Sequence, residues 1–418
     1  MRQASPRNLE TRISINQSPS RDSSPWQAWT RFWFSLGDPS TLGFMRICAG
    51  LMVLYVHLNY TGTLYAFFGK DAWYNLQMAN EYRHNQPWWE TPLEGWGQGQ
   101  GQADEEDKEK MRELRQDEIE YRERWSGDPR YTIAKGTPNV SIWFHVTDPN
   151  WMMAVHIGIL ITMALFTIGF CTRITAVLTW LAALSYLQRS WAILFGMDTM
   201  MNILLIYLMI GPSGAAFSVD SWLKRRRLAK EGHGLPPGIH PVPAPSVLAN
   251  FATRLLQVHF CIIYLASATS KLQGSSWWSG TAIWGVAANW EFNPMDVSLY
   301  LQFVTFLAKH RLLWEIAMAS GVLFTLFVEL GFPFLVWNRR IRPYMIMGSV
   351  MLHIGIGTIM GLATFSLMML IMVMSFIPGS VTRWAVYGAW DWLRGVMPAQ
   401  IEAEPAVASS GVLTLQKH

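Results

Sequence analysis

A series of apolar runs, each near the length of one membrane crossing, constrains this chain more than any other feature. The runs lie at about 42–60, 151–170, 174–194, 197–212, 247–270, 312–337, 341–359 and 361–378. A helix needs ~20 apolar residues to cross ~30 Å of hydrocarbon. Backbone in lipid must satisfy its own hydrogen bonds, so such runs fold as helices. The expected fold is an all-α polytopic transmembrane bundle of about eight spans. The stretch 293–307, interrupted by Asp296, reads as interfacial or re-entrant and leaves room for a ninth.

Composition agrees once its unevenness is seen. The hydrophobic set makes up 51% and charged residues 15%, against about a quarter charged in soluble domains. Mean hydropathy is only +0.16 because charge is concentrated: 18 of the 27 residues from Asp104 to Arg130 are charged. This excludes a disordered chain, a disulfide scaffold and a typical cytosolic enzyme. A net charge of +4 is too small for a nucleic-acid partner.

Residues 1–24 are polar and rich in Ser and Pro, and read as a disordered tail rather than a cleaved leader. Trp26, Trp29, Phe32 and Trp33 recur at helical spacing beside Arg31, the pattern of a helix lying in the membrane interface. The main domain is expected over 26–380, with a charged extracytoplasmic insert at 76–148 and a cytoplasmic tail at 381–418. The part of the insert around 105–124 reads as a solvated helix with opposite charges one turn apart.

Short-loop Lys and Arg set orientation. They cluster at Arg2, Arg7, Arg12, Arg21 and Arg31, at Lys224–Arg227 with Lys230, at Arg339, Arg340 and Arg342, and at Arg383 and Arg394. Eight spans put all of these clusters on one side. That predicts a plasma or inner membrane protein with both termini cytoplasmic, and with 76–148 and 271–311 outside.

Ionisable residues at membrane depth are costly and mark candidate sites. They are Arg46, His57, His156, Arg189, Asp198, Arg254, His259, Lys271, Glu315, Glu329 and His353. At ~100° per residue, Tyr264 lies within ~20° of Lys271, and Gln257 and Ser267 within ~40°. One face of the fifth span is therefore polar and leads to a lysine at its outer end, either a base or a snorkelling side chain. His353 sits among Gly348, Gly355, Gly357 and Gly361, as a packing residue or a functional one. Arg189 and Asp198 flank one outer turn, where they either pair with each other or serve the site, and Glu329 is expected to pair with Arg46 or Arg254. Cys48, Cys171 and Cys261 read as small buried hydrophobes. The His residues share no ligand spacing, so no metal site is expected. There is no P-loop, dinucleotide fingerprint or nucleophile elbow.

Further residues carry a resemblance. Asp38-Pro39-Ser40-Thr41-Leu42 is followed by Arg46, Gly50 and Leu51–Leu54; Arg173-Ile174 and Ser218-Val219-Asp220 come later. Tyr264 to Lys271-Leu272 then leads to Trp277, Trp278 and Gly280, and His353, Phe365 and Met369 close the pattern. In this order, over about 26–380, the chain resembles the membrane domain of vitamin K-dependent gamma-glutamyl carboxylase. It is similar to that family's shorter bacterial relatives, the horizontally transferred transmembrane domain proteins.

The resemblance implies quinol-dependent carboxylase or oxygenase chemistry at the outer face. Lys271 would be the base, with His353 nearby as the second catalytic residue. Tyr264, Ser267, Trp277, Trp278, Arg189 and Asp198 would form the cofactor site, with Trp284 and Trp290 extending its aromatic wall. The implied co-substrates are a reduced naphthoquinone, O2 and CO2. The implied partners are membrane lipid and a glutamate-containing protein or peptide. The pattern departs from the animal enzyme in three ways: a large lumenal β-rich domain has no counterpart, the insert 76–148 is extra, and Asp198 stands in a region where that enzyme has histidine. A non-catalytic quinone- or lipid-binding or transport protein of the same fold is the alternative, and ion transport along Asp198, Glu315, Glu329 and the histidines a third.

Overall fold

A computed structural model describes residues 24–85, 109, 112, 113, 116, 139–190, 193–236, 239–289, 298–395 and 400–401. Trp290, Asp296, most of the charged insert and most of both expected tails lie outside the described residues.

The described residues are mostly helical, with one two-residue strand pair and an isolated bridge between Gly37 and Ser246. Its helices are α1 Pro25–Phe34, α2 Ser40–Tyr60, α3 Leu64–Phe68, α4 Leu76–Asn85, α5 Pro149–Ile168, α6 Thr172–Arg189, α7 Gly196–Ile210 and α8 Val219–Lys230. They continue as α9 Val247–Gln273, α10 Ser275–Trp278, α11 Ala282–Ala287, α12 Ser298–Lys309, α13 Arg311–Leu335, α14 Arg342–Ile359, α15 Ala363–Val373 and α16 Gly379–Leu393. β1 (Ile239–His240) pairs in parallel with β2 (Gln400–Ile401).

Each expected span becomes a helix, but they differ in what they can do alone. Among the described residues four helices, α2, α5, α9 and α13, are long and apolar enough to cross a membrane, or five if residues 363–376 and 379–393, bent by 119°, count as one span. The others fall short for visible reasons. α6 is diluted by Thr172, Arg173, Gln188 and Arg189, α7 has 15 residues and α15 has 11. The expected eighth run ends where Pro378 starts the turn into α16.

Local sequence sets the ends. Asp148 caps α5 by accepting from Asn150 N (3.0 Å) and Trp151 N (3.2 Å), with Pro149 in the first turn. Gly169, at φ +73°, closes that helix in the left-handed region. Ser246 caps α9 through Ala249 N at 3.0 Å. Large apolar side chains such as Ile157 and Ile161 on α5, and Leu323 and Phe327 on α13, face outward. The core between the helices is Leu, Met, Ala and Phe, with Leu42, Met45, Phe166, Leu204, Phe260 and Phe332 fully buried. A polar inner seam under an apolar outer coat fits a lipid solvent.

The start of α2 and the late helix α16 are joined. Arg383 on α16 donates to the Asp38 carboxylate and to Ser40 Oγ (3.0 Å) at the start of α2. At the same end α1 is held by Asn250 Nδ2, which donates to Phe32 O (2.8 Å) and Trp33 O (2.9 Å), leaving Trp26 and Trp29 exposed.

Asp220, in the first turn of α8, accepts from Cys171 N (2.8 Å), Thr172 N (2.7 Å) and Thr172 Oγ1 (2.7 Å). Burial works to raise its pKa, but the Thr172 and Cys171 hydrogen bonds and the Arg46 charge outweigh it and hold the carboxyl below its usual range. A lowered folded pKa gives stability above the unfolded value of ~3.9 that is lost as pH falls through the folded value. Asp220→Ala should cost about 2–3 kcal/mol at pH 7, and the gap to wild type should narrow below about pH 4; unfolding in detergent across pH measures both.

Gly50 is a close-approach position: a Cβ there would lie 2.5 Å from Thr167 Oγ1 and 2.9 Å from its Cα. Gly50→Val should push α2 off α5 and cost about 1–3 kcal/mol, read as a lower melting temperature. Cys171 corrects the expectation of three buried thiols: it is exposed, at φ +46° in the tight turn between α5 and α6, while Cys48 is half-buried and Cys261 buried.

Candidate functional site

The site is built along one face of α9. Tyr264, Ser267 and Lys271 are spaced i, i+3, i+7 and so line up toward α13 and α14. Lys271 turns inward, against the snorkelling expectation. Its Nζ donates to Ser267 Oγ at 2.6 Å and to both oxygens of Glu329 on α13 at 2.8 Å. Ser267 Oγ also lies 3.2 Å from Glu329 Oε1. The lysine side chain is 24% exposed and the glutamate 6%, so the ion pair faces the bundle yet keeps one open side.

One helical turn deeper, Tyr264 OH lies 2.6 Å from Ser349 Oγ and 2.8 Å from His353 Nε2, both on α14. A phenol has one proton, so it donates to one of these and accepts from the other. His353 Nδ1 is buried and has no hydrogen-bond partner among the described residues. Gly348 lets α14 approach α13, its notional Cβ sitting 3.1 Å from Val328. Phe332, Phe260 and Phe365 wall the cluster, with Tyr264–Phe332 centroids 5.0 Å apart and His353–Phe365 6.0 Å apart.

The remaining expected site residues divide. The Trp277 ring lies 5.5 Å from Lys271 Nζ, within cation–π range. Trp278 is 74% exposed and spends its indole N–H on Leu272 O, so it does not line the cluster. Trp284 packs edge-on against Trp314. Arg189 and Asp198 do not pair with each other. Arg189, fully buried, donates to Tyr74 O and Gly69 O (3.1 Å each), and the Asp198 carboxylate caps α7 by accepting from Phe195 N at 3.1 Å.

Glu329 is the main correction. It pairs with Lys271, whereas Arg46 donates to Ser213 O and Phe217 O, and Arg254 to Gln257 Oε1 while stacking on Phe32. Ser349 also went unnoticed in the sequence, although it sits one turn before His353 on the same face.

A second polar group lies between α2, α5 and α6. His156 Nδ1 is 2.6 Å from Tyr186 OH and its Nε2 is 3.0 Å from Thr61 Oγ1. His57, Tyr60, Tyr186 and Asp198 border a cavity of about 10 Å³, room for one water at most. A larger cavity of about 250 Å³ lies at the other end of the bundle, bordered by Arg173, Ser213, Gly214 and Asp220 among others. Among the described residues no group of three or more His, Cys, Asp or Glu side chains is placed to hold a metal ion.

Helices of this length and apolarity around a buried ion pair are those of a chain compatible with an integral membrane location. No protein-family model, no curated protein and no solved structure matches it.

Proposed function

We propose that the protein is a polytopic membrane enzyme of eight crossing helices, with both termini cytoplasmic. In this reading it performs quinol-dependent chemistry of the gamma-carboxylase type at its outer face. The observation that carries the reading is the inward ion pair of Lys271 and Glu329, two helical turns along α9 from Tyr264 with its partners Ser349 and His353, and bridged to it by the face that carries Ser267. A charged pair kept at membrane level is costly and is retained where it acts.

A reduced naphthoquinone would meet Lys271 Nζ on its open side beside Trp277, and the unpartnered His353 Nδ1 offers a second polar contact. That co-substrate, oxidised by O2, supplies the strong base that takes a carbon-bound proton from glutamate before CO2 adds. The protein's own part is smaller. The Lys271–Glu329 pair receives one hydroxyl proton as a unit, and the cationic Nζ faces the oxygen left negative. Tyr264 fixes the His353 ring, and Phe332, Phe260 and Phe365 keep water away.

Purified protein supplied with reduced naphthoquinone, O2 and bicarbonate should form quinone epoxide. Lys271→Ala should lower that rate by ~10³-fold or more. Tyr264→Phe should retain the fold and lose about tenfold by leaving His353 unfixed. No epoxide from wild type, or full activity in Lys271→Ala, removes the enzyme reading.

One observation favours a second reading, a non-catalytic quinone or lipid carrier: the two cavities at Asp220 and His57 border neither Lys271 nor His353. Tight naphthoquinone binding without turnover would select it.

A further inference from the structure

The cavity of about 250 Å³ lies where α6 starts, where the turn 211–215 passes, and where α8 begins. Its rim is polar and its floor is Ala176, Leu208 and Met209. The one acidic group at the rim, Asp220, already accepts three hydrogen bonds and lies near the Arg46 guanidinium. It therefore offers little repulsion to an incoming anion. Arg173 is exposed at the same rim.

Three neighbouring features point to one kind of ligand. On α8, Lys224 and Arg227 follow Asp220 at i+4 and i+7, so they continue its stripe, and both are exposed. Trp222 on the next stripe is exposed and carries Arg226 over its ring at 5.3 Å, the usual dress of a headgroup-level helix. On α6, Ile174, Val177, Leu178 and Leu181 form an i, i+3, i+4, i+7 row, and all four are exposed. This apolar row begins beside Arg173 and runs ~10 Å along the helix. A cavity with Arg173 at its rim, Lys224 and Arg227 further along α8 outside it, and an apolar strip leading away matches the two halves of one lipid molecule.

We propose that this cavity is a binding site for an anionic phospholipid. The lipid's phosphodiester sits in the cavity against Arg173, with Lys224 and Arg227 outside it, and one acyl chain lies along Ile174 to Leu181. The inference rests on the membrane reading above but not on the carboxylase chemistry. Basic pockets between membrane helices are suited to such headgroups because each nearby Lys or Arg adds attraction within a Debye length.

The test uses the full chain, delipidated in mild detergent and returned to nanodiscs holding equal phosphatidylglycerol and phosphatidylcholine. Lipid retained after re-extraction is counted by native mass spectrometry. Wild type should retain phosphatidylglycerol over phosphatidylcholine by ~10-fold. Arg173→Glu, an exposed change that leaves the core untouched, should erase that preference, and Lys224→Gln with Arg227→Gln should reduce it severalfold. Leu178→Ser should weaken retention of both lipids. Inorganic phosphate at millimolar concentration should leave the lipid in place. Equal retention by wild type, an unchanged preference in Arg173→Glu, or full displacement by phosphate overturns the proposal. Release of the protein into the soluble fraction by alkaline carbonate would instead overturn the membrane reading itself.

Discussion

Glu329→Ala should be among the most damaging single substitutions in this protein. It leaves the Lys271 ammonium facing Ser267 and a wall of aromatic side chains with its carboxylate gone. Breaking a buried pair in this way costs about 3–5 kcal/mol. Lys271 is 24% exposed and can partly escape, so the expected loss is nearer about 2–4 kcal/mol. Lys271→Met should cost less, because Glu329 keeps Ser267 as a neighbour. The double change Lys271→Met with Glu329→Leu should return to within about 1 kcal/mol of wild type, since an apolar pair of similar size removes both desolvation costs. Unfolding free energies in bicelles of wild type, Lys271→Met, Glu329→Leu and the double variant close a double-mutant cycle, with Glu329→Ala measured beside it. If Glu329→Ala and the double variant prove equally unstable, the two side chains are not energetically coupled. If all four are stable but epoxide formation vanishes in every variant, the pair is kept for chemistry alone.

Arg46→Ala is the second expected large effect. The side chain is completely buried on α2, and its two terminal nitrogens donate to Ser213 O at 3.0 Å and Phe217 O at 2.6 Å. Those bonds hold the turn after α7 in place, where Phe217 takes φ +50°. Removing the guanidinium leaves two buried carbonyls short of a donor, opens a cavity and withdraws a charge from Asp220. The sum should be about 4 kcal/mol or more. Arg46→Lys should recover less than half, because a single ammonium cannot span both carbonyls as a fork does. Melting temperature and protease sensitivity of the 211–217 turn would report the two effects separately.

The fold was legible in the sequence wherever lipid dictates the pattern. Apolar run lengths marked α2, α5, α9 and α13 to within a few residues. The number of crossings was less legible. α6, α7 and α15 pack beside longer helices and need neither full length nor full apolarity to stay buried in the bundle.

The polar seam on α9 also followed from spacing alone, but its partner did not. Glu329 would meet Arg46 or Arg254 only if α9 and α13 were level. They are staggered. Phe332, near the end of α13, packs on Phe260, about 13 residues into α9, a shift of ~15 Å at 1.5 Å per residue. That shift lifts Glu329 to Lys271 and leaves Arg254 beside Phe32 and Trp337. Arg189 and Asp198 stay apart for a different reason: backbone groups engage the terminal nitrogens of Arg189 and the carboxylate of Asp198. Sequence distance measures position along one helix, whereas pairing depends on how neighbours slide against each other.

The contact between Asp38 and Arg383 spans 345 positions of sequence, so it can form only after nearly the whole chain has left the ribosome. Until then the start of α2 lacks its guanidinium partner, and one of the first helices to be made is also among the last to be secured. Premature stop codons anywhere before position 383 would therefore yield chains in which the start of α2 stays unlatched.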